Sequence, residues 1–440
     1  MKYKLLLLST LICFSVSVSV YAQNEPEDSR LNYYLSKDHS RFIKFSGYME
    51  LWARYTNMNP GSLINNTGVS KFSDVSLRRI RVKATIQPTD KFLVVLQMGP
   101  SNVNANAKTN TYMDLLDAYG EYKFSDYLAV GGGRSTWRGL SRFSTGPLQT
   151  LLYDMPAFAT ANAGISDITV RMLSVYAKGQ IGKFDYRVAI ADPYTDAETA
   201  PKLNQSVFNT AAPAKLFTGY FKWQFFDKES NVTPFAAGTY LGKKKVFNIG
   251  IGAEFQKNAL WHTTANTDTV KSNMRNFAAD VFYDAPLNKK KGTSLSIYGA
   301  ALRTDYGKNY IRMIGTNNPG TGVDNLTGSY NGGGNAYPVI GTGNTYYLQV
   351  GGTLPYFNQK KKGAQLMPAA SVQYSKFEKL ADPMITYDAG ITLLLHGHAS
   401  KFTFDVQSRP IFDKPADAYS QSQYSERKLT YLLKYRVDIN

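Results

Sequence analysis

From Phe42 onward the chain alternates. Ile43, Phe45, Gly47, Met49, Leu51, Ala53 and Tyr55 fall on one side of an extended segment, and Lys44, Ser46, Tyr48, Glu50, Trp52 and Arg54 on the other. A period of two with one apolar face predicts a β-strand. The pattern returns with Ile80, Val82, Ala84 and Ile86 opposed to Arg79, Arg81 and Lys83, and then with Phe92, Val94, Leu96 and Met98. Leu116, Ala118, Gly120, Tyr122 and Phe124 oppose Asp117, Tyr119 and Glu121, and Phe217, Gly219, Phe221, Trp223 and Phe225 oppose Lys222. Further strands are expected near 127–134, 169–180, 184–191, 246–256, 274–284, 293–303, 345–357, 365–377, 385–395, 399–408 and 428–439.

Short turns such as Pro88-Thr89-Asp90 and Ser125-Asp126 separate some of these strands, and long loops at 56–72, 135–168, 257–273 and 304–343 separate others. Segments of roughly ten alternating residues between short turns and long loops are the signature of an all-β, transmembrane antiparallel β-barrel. If both chain ends lie in the periplasm, the strand number is even. The stretch Thr233–Gly242 would make it odd, so it is expected to be an extended periplasmic turn, which leaves about sixteen strands. The lysine triplets at 243–245, 289–291 and 360–362 then fall at the periplasmic rim, where they suit lipid headgroups or an electrostatic sink. The Gly- and Asn-rich stretch 304–343 is expected to be a mobile surface loop.

The start of the chain fits that destination. Lys2 and Lys4 precede an apolar run, and Val20-Tyr21-Ala22 offers a small-x-small cleavage site, which predicts a signal peptide over 1–22. Residues 23–40 read as a short periplasmic extension and 41–440 as the barrel. No later run approaches the ~20 apolar residues of a membrane-spanning helix. The one cysteine, Cys13, lies in the signal, so neither disulfides nor thiol catalysis is expected of the exported chain. Tyr (31) and Phe (24) far outnumber Trp (4), as aromatic girdles on β-structure require.

The formal charge of +17 points, in an exported barrel, to anionic solutes or headgroups rather than nucleic acid. Arg79, Arg81 and Lys83 occupy successive inward positions of one strand, and Arg54 faces inward from its neighbour. Ladders of this kind favour anions, because guanidinium replaces the hydration a phosphate or carboxylate loses. Arg134, Arg138 and Arg142 recur every four residues, and would share one face of a short helix. They either pair with inward Asp117 and Glu121 or contact solute. These nine residues are the expected pore lining. Glu50, Glu254, Asp280, Asp388 and Asp405 also read as inward, so the lumen is mixed in sign and a weak anion preference is expected. The loop 135–168 carries Trp137, Phe143, Leu151, Leu152, Tyr153, Met155 and Phe158, too apolar for a solvated loop, and is expected to fold into the barrel.

Catalysis and metal binding find little support. His396-Gly397-His398 lacks a third ligand, and His262, in a long loop, has no nucleophile elbow with it. No catalytic residue, metal or cofactor is expected.

The runs Asp117-Ala118-Tyr119-Gly120-Glu121-Tyr122, Gly131-Gly132-Gly133-Arg134, Trp137-Arg138-Gly139-Leu140-Ser141-Arg142 and Phe184-Asp185-Tyr186-Arg187-Val188-Ala189 resemble porins of the Gram-negative Bacteroidota, similar to the phosphate-selective porin O/P group. The resemblance implies a sixteen-stranded outer-membrane barrel, commonly a homotrimer, that conducts small solutes passively. It also implies that the third extracellular loop, here 135–168, narrows the pore. The chain departs from many such barrels in ending Val437-Asp438-Ile439-Asn440 rather than on an aromatic residue. The expectation is therefore an outer-membrane porin for small hydrophilic solutes with weak anion preference. Its alternatives are a channel with a saturable phosphate or carboxylate site and, less favoured, an outer-membrane hydrolase.

Overall fold

Alternating segments with one apolar face must bury or solvate two unlike surfaces, and closing them into a barrel does both while leaving no unpaired edge. The computed structural model describes residues 31–106, 113–146, 148–160, 170–193, 200–211, 214–360 and 362–439. The expected signal peptide with Cys13, residues 23–30, residues 161–169 of the third loop and Lys361 lie outside these.

Sixteen antiparallel strands form the closed wall. They are β1 (Phe42–Asn57), β2 (Lys71–Thr89), β3 (Phe92–Met98), β4 (Leu115–Lys123), β5 (Ala129–Ser135), β6 (Met172–Ile181), β7 (Phe184–Ala191) and β8 (Leu216–Gln224). The second half comprises β9 (Val246–Thr263), β10 (Thr269–Asn288), β11 (Thr293–Asp305), β12 (Gly343–Gly351), β13 (Gln365–Phe377), β14 (Met384–His396), β15 (Ser400–Phe412) and β16 (Tyr424–Ile439). The last strand pairs with the first from Gly47↔Ile439 to Thr56↔Thr430, which closes the ring. A lead strand, Asn32–Tyr34, pairs with the start of β1, so part of the expected irregular extension is ordered.

The two faces divide as the alternation requires. Ile251, Phe277, Phe404 and Leu433 point outward and are 59, 57, 46 and 45 % exposed, whereas inward Glu254, Asn276, Asp405 and Lys434 are at most 1 % exposed. An apolar exterior around a polar interior is stable only with hydrocarbon as the outer solvent, so the barrel is an outer-membrane one.

Most short turns gather at one end and the longest loops, 136–171 and 306–342, at the other, with 225–245 and 352–364 as the long connections of the short-turn end. At the short-turn end β6 and β7 join through Gly182-Lys183, and Gly182 takes a φ of +58°, a conformation a β-carbon would strain. The strands reach further at the long-loop end than alternation suggested. Paired backbone continues through Thr263↔Thr269, so the expected loop 257–273 is a hairpin tip and His262 lies on a strand. Outside hydrocarbon there is no selection for an apolar face, so the alternating signal fades before the hydrogen-bonded ladder ends.

The stretch 304–343 is not a loose surface loop. Ile311–Ile314 pairs with Tyr337–Gly341, and Tyr337, Val339 and Ile340 are buried against Phe377, Met384 and Phe412. Buried amides fasten it across the mouth: Asn59 donates to the carbonyls of Gly332 and Ala336, and Asn317 donates to the Ser76 hydroxyl. Composition pointed to mobility, but amide side chains that find backbone partners make a rigid lid instead.

Candidate functional site

The third loop fills much of the barrel, and its apolar residues show why. Trp137 stacks on Tyr176, Phe143 lies 4.1 Å from Tyr298, and Phe158 lies 5.1 Å from Tyr347 (ring centroids). Leu151 and Leu152 join Met367, Ala369 and Leu394, and Tyr153 meets Trp52 edge-on. Each such side chain gains about 1.5–3 kcal/mol by leaving water. The wall makes room for the loop with glycine: a β-carbon on Gly252 would strike the Leu140 carbonyl, and one on Gly139 would strike Tyr220. A short helix over 134–142, which would have put the three arginines on one face, does not form; the strand ends at Ser135 and irregular backbone follows, and among the described residues a 3-10 turn occurs only at Ala157–Thr160.

A second segment enters from the opposite end. The stretch Thr233–Gly242, expected to belong to an extended periplasmic turn, forms no wall strand, but the whole connection 225–245 folds back into the lumen. Leu148 of the third loop donates its N–H to the Ala236 carbonyl, and Gly238 donates to the Leu148 carbonyl. Glu229, 4 % exposed, accepts two hydrogen bonds of 2.6 Å from Arg142 and further ones from Lys222 and Tyr240. Burial alone would raise the Glu229 carboxyl, but Arg142 and Lys222 outweigh it and hold it well below the usual range.

A cavity of about 350 Å³ lies against β1, β2, β3 and β16. It runs from Thr316 and Asn317 of the lid to Ser46, Lys83 and Asp438 near the short-turn end, with Thr145, Leu148, Thr150, Asp154 and Phe235 on its inner edge. Its cations are Arg78, Arg79, Arg81, Lys83, Arg171 and Arg436, and its acids are Glu50, Asp154 and Asp438. Arg79 bridges Glu50 at 2.8 Å and Asp154 at 2.7 Å, while Arg78 meets Asp154 at 2.8 Å and Arg436 meets Glu50 at 3.1 Å. Burial would raise the Asp154 carboxyl; Arg78 and Arg79 override it and lower it. Arg81 has no carboxylate partner among the described residues and donates to the Pro100 carbonyl and the Ser101 hydroxyl, both at 2.7 Å. The Lys83 side chain, half-buried, shows no hydrogen bond or ion pair among the described residues.

The nine expected lining residues therefore separate. Arg79, Arg81 and Lys83 line the cavity as a ladder. Arg54 faces inward but binds Asp74 and the Thr316 and Asn317 carbonyls, so it anchors the lid instead. Asp117 and Glu121 are inward and buried, yet they pair with Arg171, just before β6, and Lys178 of β6 rather than with residues 134–142. Arg138 instead binds Glu254, and Arg142 binds Glu229. Arg134 is not in the lumen at all: it pairs across with Ala118 and exposed Leu173 on the outer face, and donates to the Leu115 carbonyl. The expected spacing of four is broken because β5 ends at Ser135, where the strand period gives way to turns.

Arg78 was missed. The β1–β2 register shifts between Glu50↔Arg79 and Leu51↔Leu77, a bulge that turns both Arg78 and Arg79 inward. Simple alternation puts Arg78 on lipid, where a guanidinium is costly, and that conflict was the available signal.

Other candidate chemistry finds no assembly. No group of three or more His, Cys, Asp or Glu side chains could hold a metal among the described residues. His398 donates to the Thr239 carbonyl (3.1 Å) and approaches Lys401 at 3.4 Å. His262 Nδ1 lies 3.5 Å from the Ser206 hydroxyl, and no acid orients its ring among the described residues.

No protein-family model matches the chain. No curated protein matches it either. Solved structures do. A structure of OprB from Pseudomonas putida superposes with a TM-score of 0.54 at 10 % identity, covering 90 % of this chain and 94 % of that one. The outer-membrane channel DcaP of Acinetobacter baumannii aligns at 0.49 and 12 % identity, over 92 % and 99 %. OmpF of Salmonella typhi aligns at 0.49 and 10 % identity, over 93 % and 100 %. The likeness to OprB is one of fold: a sixteen-stranded outer-membrane barrel.

Proposed function

We propose that the chain is an outer-membrane porin that lets small hydrophilic solutes diffuse passively, with a preference for anions, and that its third loop narrows the path. One observation carries this reading: the continuous lumenal cavity holds six cations against three acids, and Arg81 and Lys83 face it without a carboxylate partner. Passing anions would exchange part of their hydration for guanidinium and ammonium contacts. Short turns would face the periplasm and long loops the exterior, as in barrels of this class. The resemblance to Bacteroidota porins favours a homotrimer in lipid. A hydrolase is disfavoured, because among the described residues no acid orients the Ser206–His262 contact and both residues are buried.

Single-channel recording in a planar bilayer tests the proposal. Ohmic, unsaturated conductance with an anionic reversal potential is the expected result. Conductance that saturates with phosphate or a carboxylate would favour the binding-site alternative, and absence of conductance would refute both.

A further inference from the structure

The inward-folded turn 225–245 has no role yet, and its contacts define one. It crosses the lumen near the short-turn end from β6 and β7 to β10, β11 and the β14–β15 turn. On one side Lys178 donates to the Asn231 carbonyl (2.7 Å), Gln180 to the Glu229 carbonyl (2.8 Å) and Arg187 to the Pro234 carbonyl (2.9 Å). On the other, the Thr239 hydroxyl donates to Asp284 (2.7 Å), and the Thr239 carbonyl accepts from His398. Between these anchors it lies against the third loop through the Leu148↔Ala237 bridge and the Arg142–Glu229 pair.

Two segments entering from opposite ends thus stack into one partition. We propose that the turn 225–245 is a second selectivity element of this channel: with the third loop it seals the β6–β11 half of the lumen, and it confines solute to the crescent along β16, β1, β2 and β3. This rests on the channel reading above. Phe235 marks the boundary, since it lines the open cavity and lies under the Arg171 guanidinium at 5.5 Å. The partition also decides which cations a solute meets. Arg187 has no carboxylate partner within ion-pair distance among the described residues; its guanidinium donates to Pro234 and lies against the Trp137 and Tyr220 rings. With the turn in place its charge is spent on a carbonyl and two ring faces. Without it, the same charge would face the lumen.

Replacing residues 232–240 by a short Gly-Ser link tests this in the full chain. Wild-type and variant proteins, both shown to be folded by heat-modifiable gel migration, are reconstituted and compared by single-channel conductance, by swelling of vesicles in neutral sugars of rising size, and by reversal potential in KCl. The expected result is a severalfold rise in conductance, entry of larger sugars and a shift toward stronger anion selectivity. A folded variant with unchanged conductance and exclusion overturns the inference while leaving the channel reading intact. A wild-type protein that does not conduct overturns the channel reading itself. Should the deletion fail to fold, the Leu148→Cys/Ala237→Cys variant decides: the two thiols cross-link under mild oxidation if the segments meet, and absence of the cross-link in folded protein overturns the partition.

Discussion

The lumen has two charged walls that sequence alone makes look alike. Along β1, β2 and β16 the strands bring Arg79, Arg81, Lys83 and Arg436 inward, and all four line the cavity. Along β8 to β10 the strands bring Lys222, Glu254 and Asp280 inward, and the third loop lays Arg138 and Arg142 on that wall, where each meets a carboxylate. On the second wall, charge serves as a fastener. On the first, cations exceed acids, and the proposed anion preference rests on that excess. Strand parity decides which side a residue occupies, but the segments folded over a wall decide whether its charge is offered or used.

Removing residues 140–155 should break that contrast most. The second wall would lose its cover, and single-channel conductance should rise more than for any substitution, with the barrel still assembled. Unchanged conductance in a folded deletion would place the loop outside the permeation path. Next comes the latch. Glu229→Gln leaves Arg142 buried without its carboxylate and leaves Lys222 only Asp185, 3.9 Å away, which should cost about 3–5 kcal/mol in unfolding by denaturant. Lys83→Gln on the open wall should change stability by less than about 0.5 kcal/mol. Equal losses would show that the two walls do not differ.

The latch should also resist acid. Because Glu229 is held well below 4.5, its contribution is complete above the unfolded value and is lost only as pH falls through the lower folded one. The largest sugar admitted at pH 5 should therefore equal that at pH 7; a larger limit at pH 5 would contradict the assignment. A smaller effect concerns seating of the loop: Gly252→Val should lower loop protection from protease, since its side chain would displace the Leu140 carbonyl. Least of all should follow from Arg134→Gln, which lies on the outer face and should leave the reversal potential as it is.

Much of this was legible beforehand, for a physical reason. A wall with hydrocarbon on one side and water on the other imposes period two, so strand number, the outward faces of Phe217 and Trp223, and the inward ladder from Arg79 to Lys83 could all be read. The bulge that adds Arg78 could not be read from alternation alone, because it breaks the very period being followed. The partners of Arg138 and Arg142 were also hidden. They come from Glu254 and Glu229, far away in sequence, whereas the nearer Asp117 and Glu121 had already found Arg171 and Lys178. The inward turn 225–245 kept its apolar and polar residues in no periodic order, since each contacts a different part of the lumen.

The central claim is that solutes pass along the β1–β2–β16 wall and meet Arg81 and Lys83. Its most direct test is the reversal potential across a tenfold KCl gradient for the wild type and for Arg81→Gln/Lys83→Gln, measured near 0.01 M salt, where charges act over ~30 Å. The account expects an anion-selective wild type and a clear shift toward zero in the double variant. A wild type selective for cations, or a double variant with the same potential as the wild type, would contradict it.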